Sequence, residues 1–171
     1  SKDVIAEINS AHTNKKYLGK HELPLSLQAT TDLAQAFAHS HIYVLAIPAQ
    51  QLRLTLEEWK PFFSTDSIIV STLKGIEIST QMRMTEVIQD VLGPRPIAII
   101  TGPNLADELV LRQPAGAVAA AATQELADRM RDLFRTPYYR VYTSVDVMGC
   151  ELAGAIKSVI ALAVGISIGM G

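Results

Sequence analysis

The most constraining feature of the sequence is a regular alternation between short apolar runs and segments whose apolar residues recur at helical spacing. The runs predict buried strands at residues 42–47, 67–72, 97–100, 115–121 and 140–143. The segments between or beside them predict helices at residues 51–62, 80–91, 105–111 and 124–134. Strands and helices that alternate at this pace indicate an α/β fold, with a mostly parallel sheet and helices on both faces.

The ends of the chain add helices to this pattern. Val4, Ile5 and Ile8 share one face of a predicted amphipathic helix, and residues 9–27 form a polar stretch that we expect to run over the surface. A long final helix is predicted at residues 145–170. One of its faces has the spacing of an ordinary core stripe, formed by Met148, Leu152, Ile156, Val159, Ala163 and Ile166.

Another face of the final helix is lined by small residues and one lysine. The small residues are Cys150, Ala153, Gly154, Ala161 and Gly165, and the lysine is Lys157. Because the lysine stem has no large apolar surface to cover there, we expect Lys157 to be held where another group packs closely. A partly desolvated ammonium group has a lowered pKa and suits proton exchange with an alcohol or carbonyl oxygen. The alternative is a salt bridge to a carboxylate such as Glu151 on a neighbouring copy or segment.

Composition excludes several classes of function. A formal net charge of −2 and a charged fraction of 19% leave no basic stripe for nucleic acid. The most apolar run, residues 159–170, is shorter than the ~20 residues that span a bilayer, so no transmembrane segment is predicted. The single cysteine, Cys150, fits a reducing compartment, and we expect a soluble, cytoplasmic protein.

The residues that follow three predicted strands are candidates for a ligand site. They are residues 48–50, 73–75 and 101–104. In an open parallel sheet, ligands bind outside the carboxyl ends of the strands, so these segments are expected to share one edge. Gly75 and Gly102 permit close approach to the main chain, Lys74 supplies a cation, and a helix beginning near Asn104 directs free N–H groups at an anion. Singly, Lys74 can be a solvated surface lysine, and Asn104 with Asp107 can be a helix cap.

Other chemistries lack their motifs. The sequence has no Gly-x-Ser-x-Gly elbow, no Walker-type loop, no metal-spaced Cys/His cluster and no Gly-x-Gly-x-x-Gly. No metal site is therefore predicted. The glycines at 165, 169 and 171 end a helix instead of following a strand, which excludes them as a dinucleotide loop.

Five ordered segments carry a resemblance to a known family. They are residues 44–50 (VLAIPAQ), 74–77 (KGIE), 101–108 (TGPNLADE), 136–142 (TPYYRVY) and 149–161 (GCELAGAIKSVIA). In this order and at these spacings the chain resembles bacterial NAD(P)-dependent glycerol-3-phosphate dehydrogenase. The resemblance extends over essentially the whole sequence, including the region of Tyr17.

This resemblance implies reversible hydride transfer between NAD or NADP and dihydroxyacetone phosphate, giving glycerol 3-phosphate for phospholipid synthesis. It implies that Lys157 is the proton donor and acceptor and that Lys74 touches both substrate and cofactor. Gly102 and Asn104 would contact the substrate, and Ala106 and Tyr17 the cofactor.

The resemblance also implies a Rossmann-like domain over residues 1–144 and the start of a helical substrate domain over residues 145–171. The first strand, its glycine-rich turn and the second strand are expected before residue 1, and the rest of the helical domain after residue 171. The chain alone is therefore expected to be inactive. Asn104 stands where serine is commoner, Leu73 replaces a small hydroxyl residue, and Ser158 replaces an asparagine.

Two other functions remain open from the residues. A 3-hydroxyacid or 6-phosphogluconate dehydrogenase would share the sheet and a lysine on a helix, although the KGIE and TGPN segments argue against it. A binding or assembly module without catalysis is the other alternative. The small-residue face of the final helix is compatible with a homodimer.

Overall fold

The computed structural model describes residues 2–171. Its strands are β1 (Ile42–Leu45), β2 (Ile68–Ser71), β3 (Ile97–Thr101), β4 (Ala115–Ala121) and β5 (Tyr139–Ser144). Its α-helices are α1 (Lys2–Ala11), α2 (Lys15–Leu18), α3 (Leu33–Phe37), α4 (Leu52–Trp59), α5 (Met84–Leu92), α6 (Ala106–Val110), α7 (Gln124–Phe134) and α8 (Val147–Gly169). Short 3-10 turns at Ala49–Gln51 and Lys60–Phe62 flank α4.

The strands form one mixed sheet in the order β1-β2-β3-β4-β5. The pairs β1–β2, β2–β3 and β4–β5 are parallel, whereas β3 and β4 are antiparallel. This confirms the prediction of a mostly parallel α/β sheet. The carboxyl ends of β1, β2 and β3 therefore share an edge with the amino ends of β4 and β5. We call this edge the strand tips.

Helices cover both faces of the sheet, as predicted. On one face, Ile69 of the central strand β2 packs with buried side chains of α4 and α5, including Leu52, Leu56 and Ile88. On the other face, Ile68 and Val70 pack with the alanines of β4 and with Met130 of α7. Because successive strand residues point to opposite faces, an uninterrupted apolar strand supplies both cores.

Several element boundaries differ from the prediction. Helix α5 begins at Met84 instead of near residue 80, because Thr80 bonds the Glu77 carboxylate and residues 77–83 form a turn closed by an Ile76–Arg83 bridge. Helix α3, capped by Asp32, was not predicted. The polar stretch at 9–27 contains the short helix α2. The other predicted strands and helices are present within two or three residues of the expected bounds.

The predicted core stripe of the last helix is wrong for the described residues. Met148, Ile156 and Val159 are 57%, 48% and 67% exposed, and Glu151 is the buried residue of α8. The helix packs against β3 and β4, but its large apolar side chains lie away from that contact. Helical periodicity marks an apolar face, but the tertiary structure decides whether another element packs against that face.

Candidate functional site

The loops after β1 and β2 are joined by a side chain at the strand tips. Gln50 donates from Nε2 to the Ile76 carbonyl at 2.8 Å and accepts from the Ile78 amide at 3.0 Å. Gly75 has a φ of +135° and would place a Cβ 3.3 Å from that of Ala49. A side chain at position 75 would strain both the backbone and this contact. The structure thus brings the first two predicted ligand segments together.

The third segment joins them through Gly102. A Cβ at position 102 would lie 2.5 Å from the Gly116 carbonyl oxygen and 3.0 Å from the Cα of Ala117. Glycine is therefore required where the chain leaves β3 alongside β4. The carbonyl oxygen of Gly102 accepts a hydrogen bond of 2.7 Å from Lys74 Nζ.

Lys74 and Lys157 line the same small cavity at the strand tips. Its volume is about 310 Å³. The remaining lining residues come from β3, the loop after it, β4 and α8 and are Thr101, Gly102, Pro103, Val118, Cys150, Ala153 and Gly154. The two lysines give this cavity a positive charge. Its volume suits a small phosphorylated molecule.

Helix α8 approaches this cavity closely because of Gly154. A Cβ on Gly154 would lie 3.0 Å from Thr101 Oγ1 and 3.7 Å from Lys74 Cγ. Cys150, Ala153, Gly154 and Lys157 are spaced so that they share one face of the helix. These four residues form the N-terminal half of the predicted small-residue face, and this half of the face lines the cavity.

The expectation that Lys157 is partly desolvated is wrong for the described residues, because its side chain is exposed. Its predicted proximity to the strand tips is observed. The alternative salt bridge between Lys157 and Glu151 of the same chain is not formed, since the Glu151 carboxylate bonds Arg83 and Thr85. Lys157 thus projects from the helix into an open cavity.

Burial lowers the pKa of Lys74, and the nearby charge of Lys157 lowers it further. We expect Lys157→Gln to raise the pKa of Lys74 part of the way to its ordinary value, because burial remains as the larger cause. The measurement is a pH titration of ¹³C-methylated lysines by NMR. Lys60→Gln, at the far end of α4, is the control and should leave the pKa of Lys74 unchanged. A pKa of Lys74 that does not respond to Lys157→Gln would contradict their proximity.

Asn104 occupies the opposite side of Lys74. It lines a second cavity of about 370 Å³ with Thr72, Lys74, Gly102 and Tyr139. Its Nδ2 donates to the Tyr139 hydroxyl at 2.9 Å, while its Oδ1 is buried without a hydrogen-bond partner. Burial raises the pKa of the Tyr139 phenol, so the phenol remains protonated at neutral pH. The helix-cap interpretation of Asn104 is wrong, since α6 has Leu105 at its N-cap and no side-chain cap.

Ala106 and Tyr17 lie on two helices that contact each other, outside the two lysine cavities. Ala106 begins α6, and Tyr17 lies on α2, which contacts α6. Both residues are exposed, and Lys16 Nζ lies 5.1 Å from the centre of the Tyr17 ring. Ala106 follows Asn104 by two residues, so the surface of α6 and α2 continues from the second cavity and can receive an extended ligand.

A buried ion pair holds the loop that carries Lys74. Arg53 donates from Nε and Nη2 to the Glu77 carboxylate at 2.9 to 3.2 Å, and Thr80 also bonds it. The hydrogen bonds from Arg53 first, and from Thr80 second, lower the pKa of Glu77. The ion pair connects α4 to the loop after β2.

We expect Glu77→Gln to lower the free energy of unfolding by roughly 2 kcal/mol near pH 7, because Arg53 loses its buried partner. A carboxyl with a lowered folded-state pKa stabilises the fold above its ordinary pKa, and this contribution disappears as the pH falls through the folded value. Urea unfolding of the variant should therefore show a weaker pH dependence below about pH 5. Asp90→Asn, which removes the half-exposed partner of Arg53, is the control and should cost under about 1 kcal/mol.

Sequence reasoning missed three residues that shape the site, Glu151, Arg83 and Thr85, whereas Thr101 lies in the predicted segment 101–104. Thr101 faces Gly154, and Glu151 bonds Arg83 and Thr85 beneath α8. The available signal was Glu151 itself, since a lone acid in an apolar helix needs a donor partner when buried. Its partners lie in another element, and the sequence does not pair them.

A larger cavity, of about 510 Å³, lies at the opposite edge of the sheet. Its three arginines are hydrogen-bonded: Arg83 to Glu86 and Glu151, Arg95 to backbone carbonyls, and Arg129 to His41. In the part of the chain that the structure describes, no three metal-ligating side chains cluster. The converging loops and lysines therefore make the strand tips the candidate site.

Comparisons with known proteins agree on one family. The family profile described as NAD-dependent glycerol-3-phosphate dehydrogenase N-terminus matches residues 1–127. The chain is 51% identical over 166 residues to a glycerol-3-phosphate dehydrogenase [NAD(P)+] of Streptomyces avermitilis, covering 96% of this chain and 49% of that protein. A relative of the same name in Thermobifida fusca is 46% identical, with 99% and 51% covered.

A solved structure shares the fold. Glycerol-3-phosphate dehydrogenase from Coxiella burnetii superposes with a TM-score of 0.88 at 27% identity, covering 98% of this chain and 51% of that one. The chain thus spans about half the length of the relatives that it matches.

Proposed function

The chain belongs to the NAD-dependent glycerol-3-phosphate dehydrogenase family, and from this premise we propose that it is part of an NAD(P)-dependent oxidoreductase acting on dihydroxyacetone phosphate. The product is glycerol 3-phosphate, a precursor of glycerophospholipids. The observation that carries the proposal is the convergence of Lys74, Gly102 and Lys157 on one cavity at the strand tips.

The lysines supply the charges that this reaction requires. Reduction of the carbonyl group forms an alkoxide oxygen, which needs a proton. Lys157 is proposed to donate it from the ammonium group, and to accept a proton in the reverse direction. The open cavity gives Lys157 direct access to a ligand, and its small neighbours leave room for a three-carbon substrate.

Lys74 is proposed to bind and orient the substrate. Its ammonium group is already fixed by the 2.7 Å hydrogen bond to Gly102, so it can hold a ligand oxygen with little further loss of freedom. Asn104 has a buried Oδ1 without a partner, which a substrate hydroxyl could satisfy as donor. Both residues and the Gly102 main chain form the substrate side of the site.

When bound, NADH or NADPH would supply the hydride, and the oxidised cofactor would accept it in the reverse direction. The residues present fit its nicotinamide side: Lys74 lines the cavity at the strand tips, Ala106 begins α6 two residues after Asn104, and the exposed Tyr17 lies on α2, which contacts α6. We propose Lys74, Ala106 and Tyr17 as cofactor contacts. The roles of all site residues rest on this juxtaposition and on family membership.

We propose that residues 1–144 are a Rossmann-like domain and that residues 145–171 begin a helical substrate domain. The exposed apolar side chains of α8 support this, since a patch of this kind marks a surface that another element, or a second copy in a homodimer, covers.

Helix α8 is also long and apolar enough, by length and composition, to cross a membrane. We propose that it does not, and that the protein is cytoplasmic. Glu151 is bonded to the sheet domain and Lys157 lines its cavity.

The test is a spectrophotometric assay of the full-length protein for oxidation of NADH and of NADPH with dihydroxyacetone phosphate. Turnover with either cofactor supports the proposal. Turnover only with a 3-hydroxyacid or with 6-phosphogluconate, or none with any of these substrates, overturns it.

A further inference from the structure

Helix α8 is attached to the sheet domain through one buried carboxylate. Glu151 is 9% exposed and accepts three hydrogen bonds. They come from the Thr85 amide at 2.9 Å, Thr85 Oγ1 at 2.6 Å and Arg83 Nη1 at 2.7 Å. Among the described residues, no other side chain of α8 hydrogen-bonds a residue outside the helix and the turn that precedes it.

The donors lie at the start of α5. Arg83 precedes the helix and Thr85 lies in its first turn, so the Glu151 carboxylate accepts a backbone N–H that has no partner within α5. Negative charge is also favoured at a helix N-terminus. Glu151, a residue of α8, thus caps the N-terminus of α5. The stabilisation from this cap depends on the position of α8 relative to α5.

The spacing of Glu151 and Lys157 makes this attachment specific. They are six residues apart, about 9 Å along the axis and about 120° apart in direction. One carboxylate with three directional bonds therefore determines both the rise and the rotation of the helix. The small residues of α8 that face Thr101 and Lys74 cannot determine the rise and rotation of the helix alone, because their side chains have too little volume to interlock with the sheet.

We propose that Glu151 is a positioning residue, which holds α8 so that the Lys157 amine reaches the cavity at the strand tips. This inference rests on the proposed function, because it assigns Glu151 an effect on turnover through Lys157. A shift of the helix by one turn, or a rotation by one residue, would break the three bonds and remove the amine from Lys74 and Gly102.

The kinetic test uses the full-length protein with NAD(P)H and dihydroxyacetone phosphate. Glu151→Gln keeps the size of the side chain but removes the charge that Arg83 binds. We expect kcat to fall by about 10-fold to 100-fold, with KM for NAD(P)H changed less than about 3-fold. Glu86→Gln removes the other carboxylate bound to Arg83, which is not on α8, and should change kcat less than about 2-fold.

A double-mutant cycle separates positioning from a general structural role. If Glu151 acts through Lys157, adding Glu151→Gln to Lys157→Ala should lower the residual rate less than about 3-fold. If the decrease in kcat of the double variant equals the product of the decreases in the two single variants, the proposal is overturned. A wild-type kcat in Glu151→Gln would also overturn it. Should Glu151→Gln fail to fold by circular dichroism, Arg83→Gln removes the same contact from the other side and must show the same pattern.

An arm that is independent of activity distinguishes this proposal from the proposed function. A short lysine-specific cross-linker should join Lys74 and Lys157 in the wild-type protein, as detected by mass spectrometry, and much less in Glu151→Gln. An inactive wild-type protein with this difference refutes the substrate assignment but retains the role of Glu151 in holding α8. Equal cross-linking in both proteins overturns the positioning role.

Discussion

Lys157→Ala is expected to lower kcat for dihydroxyacetone phosphate by roughly 10²- to 10⁴-fold in the full-length protein, because the alkoxide then lacks its proton donor. The side chain reaches the cavity from a helix that is held elsewhere, at Glu151, so its removal should not disturb the sheet. We expect the Kd of NAD(P)H, measured by fluorescence titration, to change by less than about 3-fold.

Two further variants make this result interpretable. Lys60→Ala removes an exposed lysine at the far end of α4 and should leave kcat and KM unchanged. A small primary amine added to Lys157→Ala should restore part of the rate, because the alanine leaves space in an open cavity. Wild-type turnover in Lys157→Ala would refute its role in proton transfer.

Gly102→Ala is expected to destabilise the fold by about 3 kcal/mol, which corresponds to a fall in Tm of about 10 °C for a chain of this size. The added Cβ would lie 2.5 Å from the Gly116 carbonyl oxygen, which is main chain and cannot rotate away. Strands β3 and β4 must therefore separate where they meet the cavity. The same movement displaces the carbonyl that anchors Lys74, so KM for the substrate should rise.

Gly116→Ala is the matched control, because it lies on the other side of the same contact. A Cβ at position 116 would meet only the Arg140 carbonyl oxygen, at 3.7 Å, which is an ordinary contact. We expect thermal unfolding of Gly116→Ala to differ from wild type by only a few degrees. Equal Tm values for Gly102→Ala and wild type would show that the close approach at position 102 is not required.

Patterns along the chain were sufficient to predict the five strands and the segments that meet at the strand tips. An apolar run such as Ile68–Ser71 identifies a doubly buried strand, and the rule for parallel sheets then places Lys74 and Asn104 on one edge. The family resemblance assigned Lys157, and the profile match confirms that family. Local patterns fail where side chains bond each other and stabilise a turn, as when the bond between Thr80 and Glu77 delays the start of α5 to Met84.

The sequence by itself determined the alternation of strands and helices, the two-sided core and the residues gathered at the strand tips, because these follow from periodicity and chain direction. Only the tertiary structure decided that β4 runs antiparallel to β3, that Asn104 bonds Tyr139 and that Glu151 is tied to Arg83 and Thr85. Each of these is a pairing between distant segments. Such pairings depend on shape and on hydrogen-bond partners in space, which no spacing along one segment encodes.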